Sequence, residues 1–363
     1  MTAPEAPSSP PLSAAWRRAF KAEFTTAVLG SVGMVLIAGL WIAHAYGTNA
    51  IAAFWTGSIG SWYALTSGTL VRAVPLILTG LGVAIAFRAG VFNIGAEGQL
   101  LAGAIAATVV GLQWAPVIGR LSLPCALLFG ATAGACWAGI AAFLRARFGV
   151  LEVISTLMLN FVAEDLVSYL VRGPLQEHLH IYPQTEMLPH VARLGRLVPA
   201  GRLHWGIVLA VALAVLVWWA LSRTAAGFRL RAVGANPFAA ATTGRITVSS
   251  TSTGALLASG ALAGLAGAIE VTAVTYALYE NISPGYGFTA IAVAVLAGLH
   301  PLGVVGTGLL FAALETGATA MQRDAGVPAV WASAIEACLI LIIVAVVARR
   351  RRHPIDAAEA PTS

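Results

Sequence analysis

Lysine is almost absent from this sequence. Lys21 is the single lysine among 363 residues. The phosphate-binding loop of P-loop ATPases, GxxxxGK[ST], needs a lysine that reaches the β- and γ-phosphates. Lys21 follows Phe20 rather than a glycine, so the chain cannot hold such a loop. Any ATP-driven work must therefore be done on a separate subunit.

Charged residues of either sign are also scarce. They make up 10% of the chain, against 58% hydrophobic residues, whereas a soluble domain carries roughly 25%. This shortage excludes a water-exposed surface and predicts an integral membrane protein in a lipid bilayer. The net charge of +6 does not indicate a nucleic-acid partner. The arginines flank apolar runs, as Arg17 and Arg18 precede the first and Arg349 to Arg352 follow the last.

Catalytic and metal-binding motifs are missing as well. Cys125, Cys136 and Cys338 lie scattered in apolar segments without a CxxC pair, which favours small buried side chains. There is no HExxH or GxSxG motif, so we predict neither an enzyme nor a cofactor or metal site. His178 and His180 could ligate a metal, but a solvated pair in a loop is the favoured interpretation.

Long apolar runs predict an all-α membrane bundle of about ten spans. The spans lie at about 25–45, 70–87, 91–113, 121–144, 151–171, 204–222, 248–270, 286–299, 303–321 and 328–348. They define a permease-sized domain over 25–348, between an N-terminal tail (1–24) and a basic C-terminal tail (349–363). The arginine bias places both termini in the cytoplasm. Two GxxxG pairs, Gly130–Gly134 and Gly260–Gly264, favour close helix packing.

Two long connections stand out between these spans. Residues 172–203 are predicted on the outer side of the membrane. Residues 223–247 are predicted in the cytoplasm as one or two helices, with a turn at Gly234-Ala-Asn-Pro237.

The stretch FRAGVFNIGAEGQLLAG (87–103) places polar side chains, which are energetically costly inside a membrane, beside glycines, which are weak helix formers. Gly95 and Gly98 would share one helix face, and Asn93 and Glu97 another. We predict a bent, closely packed polar element whose candidate residues are Asn93, Glu97 and Gln99, with Asn160 on a later span. These side chains either satisfy freed backbone groups or line a translocation path.

Several further acids fall in or near the spans. Glu164 and Asp165 are expected near the outer end of their span, in contact with water. Glu97, Glu315 and Glu336 are expected deeper in the membrane. Glu270 is the sixth acid of this group. An acid inside a span usually faces a cavity or a partner. A structural network and a solute path both remain open.

The stretch 87–103 resembles the hallmark segment of bacterial ABC-transporter permeases of the nucleoside and simple-sugar group, which are related to branched-chain amino acid permeases. Three later segments are similar to the same family: EVISTLMLNFVA (152–163), GFRLRAVGANPFAAATTG (227–244) and GYGFTAIAVAVLAGLHPLG (285–303). The resemblance covers roughly residues 25–348.

This resemblance implies a type II ABC importer-like permease in the bacterial inner membrane, with ATP hydrolysis elsewhere. The implied partners are ATP-binding subunits, a second permease chain (identical or different) and a periplasmic or lipoprotein solute-binding protein. The residues matching the family's ATPase-coupling segment are Gly227, Arg229, Arg231, Gly234, Asn236 and Pro237. Phe238, Ala241 and Arg245 depart from the pattern.

The resemblance favours nucleosides or related small polar solutes as cargo. The same architecture could instead carry simple sugars or branched-chain amino acids. An ion-coupled secondary transporter acting alone is a different class of function, suggested by the membrane acids. A structural membrane scaffold is a further alternative.

Overall fold

The computed structural model describes residues 39–198, 201–242 and 244–328, together with positions 33, 37, 330, 331 and 334. These described residues form helices and loops without a β-strand. They belong to two compact units, one of residues 54–320 and one of the described parts of 1–53 and 321–334. Both predicted tails and Glu336 lie outside the described residues, as do most of the predicted spans 25–45 and 328–348.

The main helices, in chain order, are α1 (Thr48–Ser58), α2 (Leu70–Arg88), α3 (Ala96–Gln113), α4 (Ser122–Phe148), α5 (Glu152–Arg172), α6 (Gly206–Arg223), α7 (Ala225–Ala235), α8 (Pro237–Thr242), α9 (Val248–Ile269), α10 (Tyr286–Leu296) and α11 (Pro301–Ala325). Short π-helical turns precede α2 (Leu65–Thr69) and follow α9 (Glu270–Thr275).

Among the residues that the structure describes, six helical stretches are long and apolar enough to cross a membrane. They are Trp62–Arg88, Ala115–Phe148, Glu152–Arg172, Gly206–Arg223, Val248–Thr275 and Pro301–Ala325. These stretches confirm a membrane protein of helical class. The count of ten spans and the cytoplasmic placement of both termini stay predictions.

Helix α2 forms the centre of the larger unit. Every residue from Ala73 to Ala86 is buried. A helix that is apolar all round belongs in the core of a bundle, because no face of it suits contact with water. Helix α2 packs against α9, α10 and α6, and α9 packs in turn against α3 and α4.

The two GxxxG pairs meet at the contact between α4 and α9. A Cβ added to Gly134 would overlap the carbonyl oxygen of Gly260, and one added to Gly264 would overlap that of Gly130. Glycine is the residue that allows two backbones to approach this closely inside a membrane. The predicted packing role of both pairs is confirmed.

Between α5 and α6, residues 173–198 and 201–205 form a loop that is hydrogen-bonded to the segment after α9. The backbone N–H groups of Thr185, Leu188 and Leu194 donate to the carbonyl oxygens of Leu278 (2.9 Å), Tyr276 (2.8 Å) and Thr272 (2.9 Å). These bonds satisfy backbone groups of an irregular chain that packs on the bundle. The loop therefore caps one end of the larger unit.

Helix α6 separates this capped end from the predicted coupling segment. It begins directly after the loop and ends directly before α7. Its 18 residues correspond to about 27 Å along the helix axis. We call the two ends the loop end and the coupling end.

In the smaller unit, the ring of Trp41 packs on that of Trp331, with centroids 4.1 Å apart.

Candidate functional site

The hallmark stretch contains a break between two helices. Helix α2 ends at Arg88, Gly90 has a φ of +75°, and α3 begins only at Ala96. A positive φ suits glycine, which has no Cβ to clash. The predicted start of this span at residue 91 was therefore too early. The expectation that Asn93 and Glu97 share a helix face was wrong, because Asn93 lies before the helix.

Asn93 forms a buried polar cluster with Gln99 and Ser259. Its Nδ2 donates to the Gln99 Oε1 and to the Ser259 Oγ, both at 2.8 Å. The Gln99 Nε2 donates back to the Asn93 Oδ1 at 3.0 Å. The exposed fraction of each of the three side chains is 1% or less. A fully paired buried network fixes one conformation, so Asn93 and Gln99 hold the break in shape.

Asn160 binds the same break from α5. Its Oδ1 accepts the Gly98 N–H at 2.8 Å, and its Nδ2 donates to the Ile94 carbonyl oxygen at 3.0 Å. These are backbone groups that the late start of α3 leaves without partners in the helix. Asn160 therefore joins α5 to the start of α3.

Glycines 95 and 98 allow this close contact. A Cβ on Gly95 would come within 2.8 Å of Thr156, and one on Gly98 within 2.9 Å of the Leu159 carbonyl oxygen. The expectation that a neighbouring backbone approaches this glycine face is confirmed, and the neighbour is α5.

Glu97 has different partners from the other three candidates. Its Oε2 accepts the backbone N–H of Gly287 at 2.5 Å, and its carboxylate also bonds to Ser283. Gly287 lies in the first turn of α10, where unpaired N–H groups and the helix dipole favour a carboxylate. A Cβ on Gly287 would overlap the backbone of Glu97. The starts of α3 and α10 thus meet at this acid.

A cavity of about 310 Å³ opens beside Glu97, towards the loop end. Its lining consists of Glu97, Leu101, Glu164, Asp165, Val167, Ser168, Glu280, Asn281 and Ser283. Among these described lining residues there are four carboxylates and no lysine or arginine. The cavity therefore presents mainly hydrogen-bond acceptors.

An ion pair holds Glu280, one of the residues that line this cavity. The Nε and Nη2 atoms of Arg172 donate to the two Glu280 carboxylate oxygens at 2.5 and 2.8 Å, and the Ser168 Oγ donates to Glu280 at 2.5 Å. The bonds from Arg172, followed by that from Ser168, lower the pKa of Glu280 to about 2. Glu280 therefore stays charged at physiological pH and ties the segment after α9 to α5.

The described part of the segment 223–247 forms the two helices α7 and α8, with the turn at the predicted place. A Cβ on Gly227 would overlap the backbone of Ala220, which shows how closely α7 folds back on α6. Asn236 caps α8 by accepting the Ala239 N–H at 3.0 Å, and Pro237 is the first residue of α8. Gly227 therefore allows α7 to pack on α6, and Asn236 and Pro237 set the start of α8.

Gly234 brings this segment against the hallmark stretch. A Cβ on Gly234 would overlap the carbonyl oxygen of Arg88, at the end of α2. The Arg88 Nε in turn donates to the Leu299 carbonyl oxygen at 2.8 Å, just after α10. One residue therefore contacts both α7 and the end of α10.

Several side chains of the segment point outward or partly outward, Phe228 among them at 59% exposed. Arg229 is exposed and Arg231 is half-buried. Phe238 is 85% exposed. A large apolar side chain in this position suits contact with another protein.

Within the described part of the chain, no three His, Cys, Asp or Glu side chains are grouped to hold a metal ion. The His178 Nδ1 bonds to Glu186 at 2.8 Å, and the His180 Nδ1 to Gln176 at 3.0 Å. Each histidine thus has its own partner in the loop.

Residues 65–344 match a family model described as the permease component of a branched-chain amino acid transport system. The chain belongs to this permease family. It is therefore an integral membrane subunit of an ABC transporter, without an ATPase site of its own. Membership implies an ATP-binding subunit and paired permease chains. It also decides against a secondary transporter acting alone.

Curated relatives match most of the chain. It is 40% identical to the glucose ABC transporter permease protein TsgB13 of Haloferax volcanii, over 82% of this chain and 80% of the relative. It is 38% identical to the guanosine ABC transporter permease protein NupP of Bacillus subtilis, over 85% and 88%. It is 30% identical to NupQ, a guanosine permease protein of the same organism, over 68% and 79%. No solved structure gives a significant match.

Proposed function

We propose that this chain lines the path through which an ABC importer takes up nucleosides. The observation that carries the proposal is the acceptor-rich cavity beside Glu97. Ribose hydroxyl groups and the N–H groups of nucleobases are hydrogen-bond donors, which complement carboxylate oxygens. Two of the relatives, NupP and NupQ, are named as guanosine permease proteins.

Glucose is a second candidate solute, favoured by the name of the relative TsgB13. Its hydroxyl groups would suit the same acceptors. A branched-chain amino acid fits less well, because its own carboxylate would meet Glu97, Glu164 and Asp165. Like charges placed together oppose binding.

The coupling end completes the proposed transporter. We assign α7 and α8 as the element that docks on the ATPase subunits, through Arg229, Arg231 and Phe238. This end would lie in the cytoplasm, with both termini, as the arginine bias indicates. At the loop end, a periplasmic or lipoprotein solute-binding protein would deliver the nucleoside.

Uptake by intact cells tests the solute class. A host without its own nucleoside uptake would express the complete transporter, and labelled guanosine, glucose and leucine would be offered in parallel. We expect guanosine uptake, reduced by unlabelled nucleosides and unaffected by excess leucine. Uptake of glucose or leucine without guanosine would overturn the nucleoside assignment.

A further inference from the structure

Glu270 is a buried acid that the candidate site does not use. It is the first residue of the π-helical turn Glu270–Thr275 and is 6% exposed. Its carboxylate accepts no hydrogen bond from any described residue. It lies within the apolar stretch Val248–Thr275, where a carboxylate without a partner is costly. Acids in such positions normally pair with another residue, so Glu270 needs a partner that it does not have in this structure.

Two arginines act on the charge of Glu270 without bonding to it, namely Arg202 of the loop and Arg72 of α2. Arg72 is already engaged with α11. Its Nη1 donates to the Thr319 Oγ1 at 3.3 Å and lies 3.9 Å from a carboxylate oxygen of Glu315. Arg202 is therefore the arginine that remains available to Glu270.

The side chain of Arg202 is held by one long hydrogen bond. Its Nη2 lies 3.4 Å from the Val274 carbonyl oxygen, whereas most N–H···O bonds are about 2.9 Å long. Val274 belongs to the same π-helical turn as Glu270 and follows it by four residues. Because a guanidinium carries five N–H donors, Arg202 brings unused donors within about one helical turn of the acid.

The backbone on both sides of this arginine side chain is held in place. The Arg202 N–H donates to the Ser67 Oγ at 3.2 Å, in the π-helical turn before α2. A Cβ added to Gly206 would lie 2.9 Å from the side chain of Ile269, the last residue of α9. Residues 201–206 thus lie between two π-helical turns, which recur at functional sites. A movement of Arg202 towards the acid would be made by its side chain rather than by the loop.

Glu270 is also linked to the cavity beside Glu97. Its charge acts on Tyr286, the buried first residue of α10. The next residue, Gly287, donates its N–H to the Glu97 carboxylate. A change in the surroundings of Glu270 therefore acts on the start of α10, where the cavity acid is bound.

We propose that Arg202 and Glu270 form a latch between the loop and the bundle. In this structure the two side chains are not bonded. In a second state of the transport cycle, Arg202 leaves the Val274 carbonyl oxygen and forms an ion pair with Glu270. Such exchanges of partners accompany the transitions between two states of a protein, and the pair supplies the partner that the buried acid needs. The latch thereby connects the capped loop end to the start of α10.

A double-mutant cycle on ATP hydrolysis tests the latch. The complete transporter would be reconstituted in liposomes with Arg202→Gln, Glu270→Gln or both. Glutamine removes the charge and stays polar. In a matched control cycle, Arg196→Gln replaces Arg202→Gln, because Arg196 is an exposed arginine of the same loop. The readout needs no particular solute, so its outcome is independent of the nucleoside assignment.

We expect each single variant of the latch to slow ATP hydrolysis by about fivefold, and the double variant to be no slower than either one. The second change then removes a partner that is already lost. In the control cycle the two effects should be independent. Unchanged hydrolysis in Glu270→Gln, or reductions from Arg202→Gln and Glu270→Gln that multiply in the double variant, would overturn the proposal.

Thermal unfolding without nucleotide shows in which state the pair forms. Because the two side chains are not bonded in this structure, the shifts in unfolding midpoint from the two changes should add. A double variant whose shift is smaller than the sum would place the ion pair in this state and contradict the exchange. Arg202→Lys keeps the charge and should recover part of the lost hydrolysis, whereas equal losses in the lysine and glutamine variants would exclude a charge contact.

Discussion

Gly234 and Arg88 are in backbone contact, although 146 positions separate them in the sequence. Gly234 lies near the end of α7, and the carbonyl oxygen of Arg88 fills the space that a Cβ on Gly234 would occupy. Arg88 also binds the Leu299 carbonyl oxygen. A displacement of α7 by an ATPase subunit would therefore reach the ends of α2 and α10 together.

Gly234→Ala should uncouple transport. The added Cβ cannot fit against the Arg88 backbone, so α7 must shift away from α2. The substitution lies outside the membrane spans, so insertion into the membrane should not change. We expect normal amounts of chain in the membrane and a loss of solute-stimulated ATP hydrolysis of at least fivefold. Gly254→Ala is the control, because a Cβ there meets nothing within 4 Å. Equal stimulation in both variants would exclude this contact from coupling.

Glu97→Leu should spare membrane insertion and impair transport. Leucine raises the hydrophobicity of α3 but leaves the buried Gly287 N–H without its acceptor and removes a carboxyl group from the cavity. A buried donor left without a partner costs roughly 1–3 kcal/mol, so we expect a reduction in uptake of about tenfold. Glu97→Gln keeps an acceptor for Gly287 and should retain more activity. Wild-type uptake by the leucine variant would contradict a role for this acid.

Asn160→Leu should destabilise the bundle. It leaves the Gly98 N–H and the Ile94 carbonyl oxygen buried without partners, at a cost of roughly 1–3 kcal/mol each. Met158→Leu, on the exposed side of the same helix, is the control and should be neutral. Thermal unfolding in detergent measures both variants. If their unfolding midpoints are equal, Asn160 does not hold the start of α3.

His204 should make stability depend on pH. It is buried in the loop ahead of α6, accepts the Gly206 N–H at 3.2 Å, and its Nε2 has no hydrogen-bond partner among the described residues. Burial, followed by the charge of Arg202, lowers the pKa of His204 from 6.5 to about 4. Below pH 6.5 the unfolded chain takes up a proton that the folded chain does not. The free energy of unfolding should therefore fall between pH 6.5 and 4, by up to about 3 kcal/mol.

His204→Asn keeps an oxygen that can accept the Gly206 N–H and removes this titration. Its unfolding midpoint should change less than that of the wild type between pH 7.5 and 4.5. His178→Asn, in the exposed part of the same loop, should retain the wild-type dependence. Parallel curves for all three proteins would show that His204 is not the group responsible.

The helical class, the glycine contacts and the polar break could be predicted from the sequence, because they depend on local composition and spacing. The glycines of 87–103 and the GxxxG pairs indicate close backbone contacts, although they do not show which helix is the packing partner. Composition likewise predicts α7 and α8, since Asn236 and Pro237 are strong signals for the start of a helix.

The partners of the polar residues could not be predicted, because they are distant in the sequence. Ser259 and Ser283 resemble any other serine until α9 and the segment after it are placed beside α3. The same holds for Glu280 and Arg172, whose pairing joins residues 108 positions apart. Sequence reasoning grouped Asn93, Glu97, Gln99 and Asn160 as one set. In the structure three of them hold the backbone break, and Glu97 alone of the four lines the cavity.

ATP-dependent uptake of labelled guanosine into proteoliposomes is the most direct test of the proposed function. The liposomes would contain this chain, its partner permease and the ATPase subunit, with the solute-binding protein outside and ATP within. We predict guanosine accumulation that requires ATP and disappears when this chain is omitted or carries Glu97→Leu. Accumulation without the ATPase subunit, or none with all components present, would contradict the account.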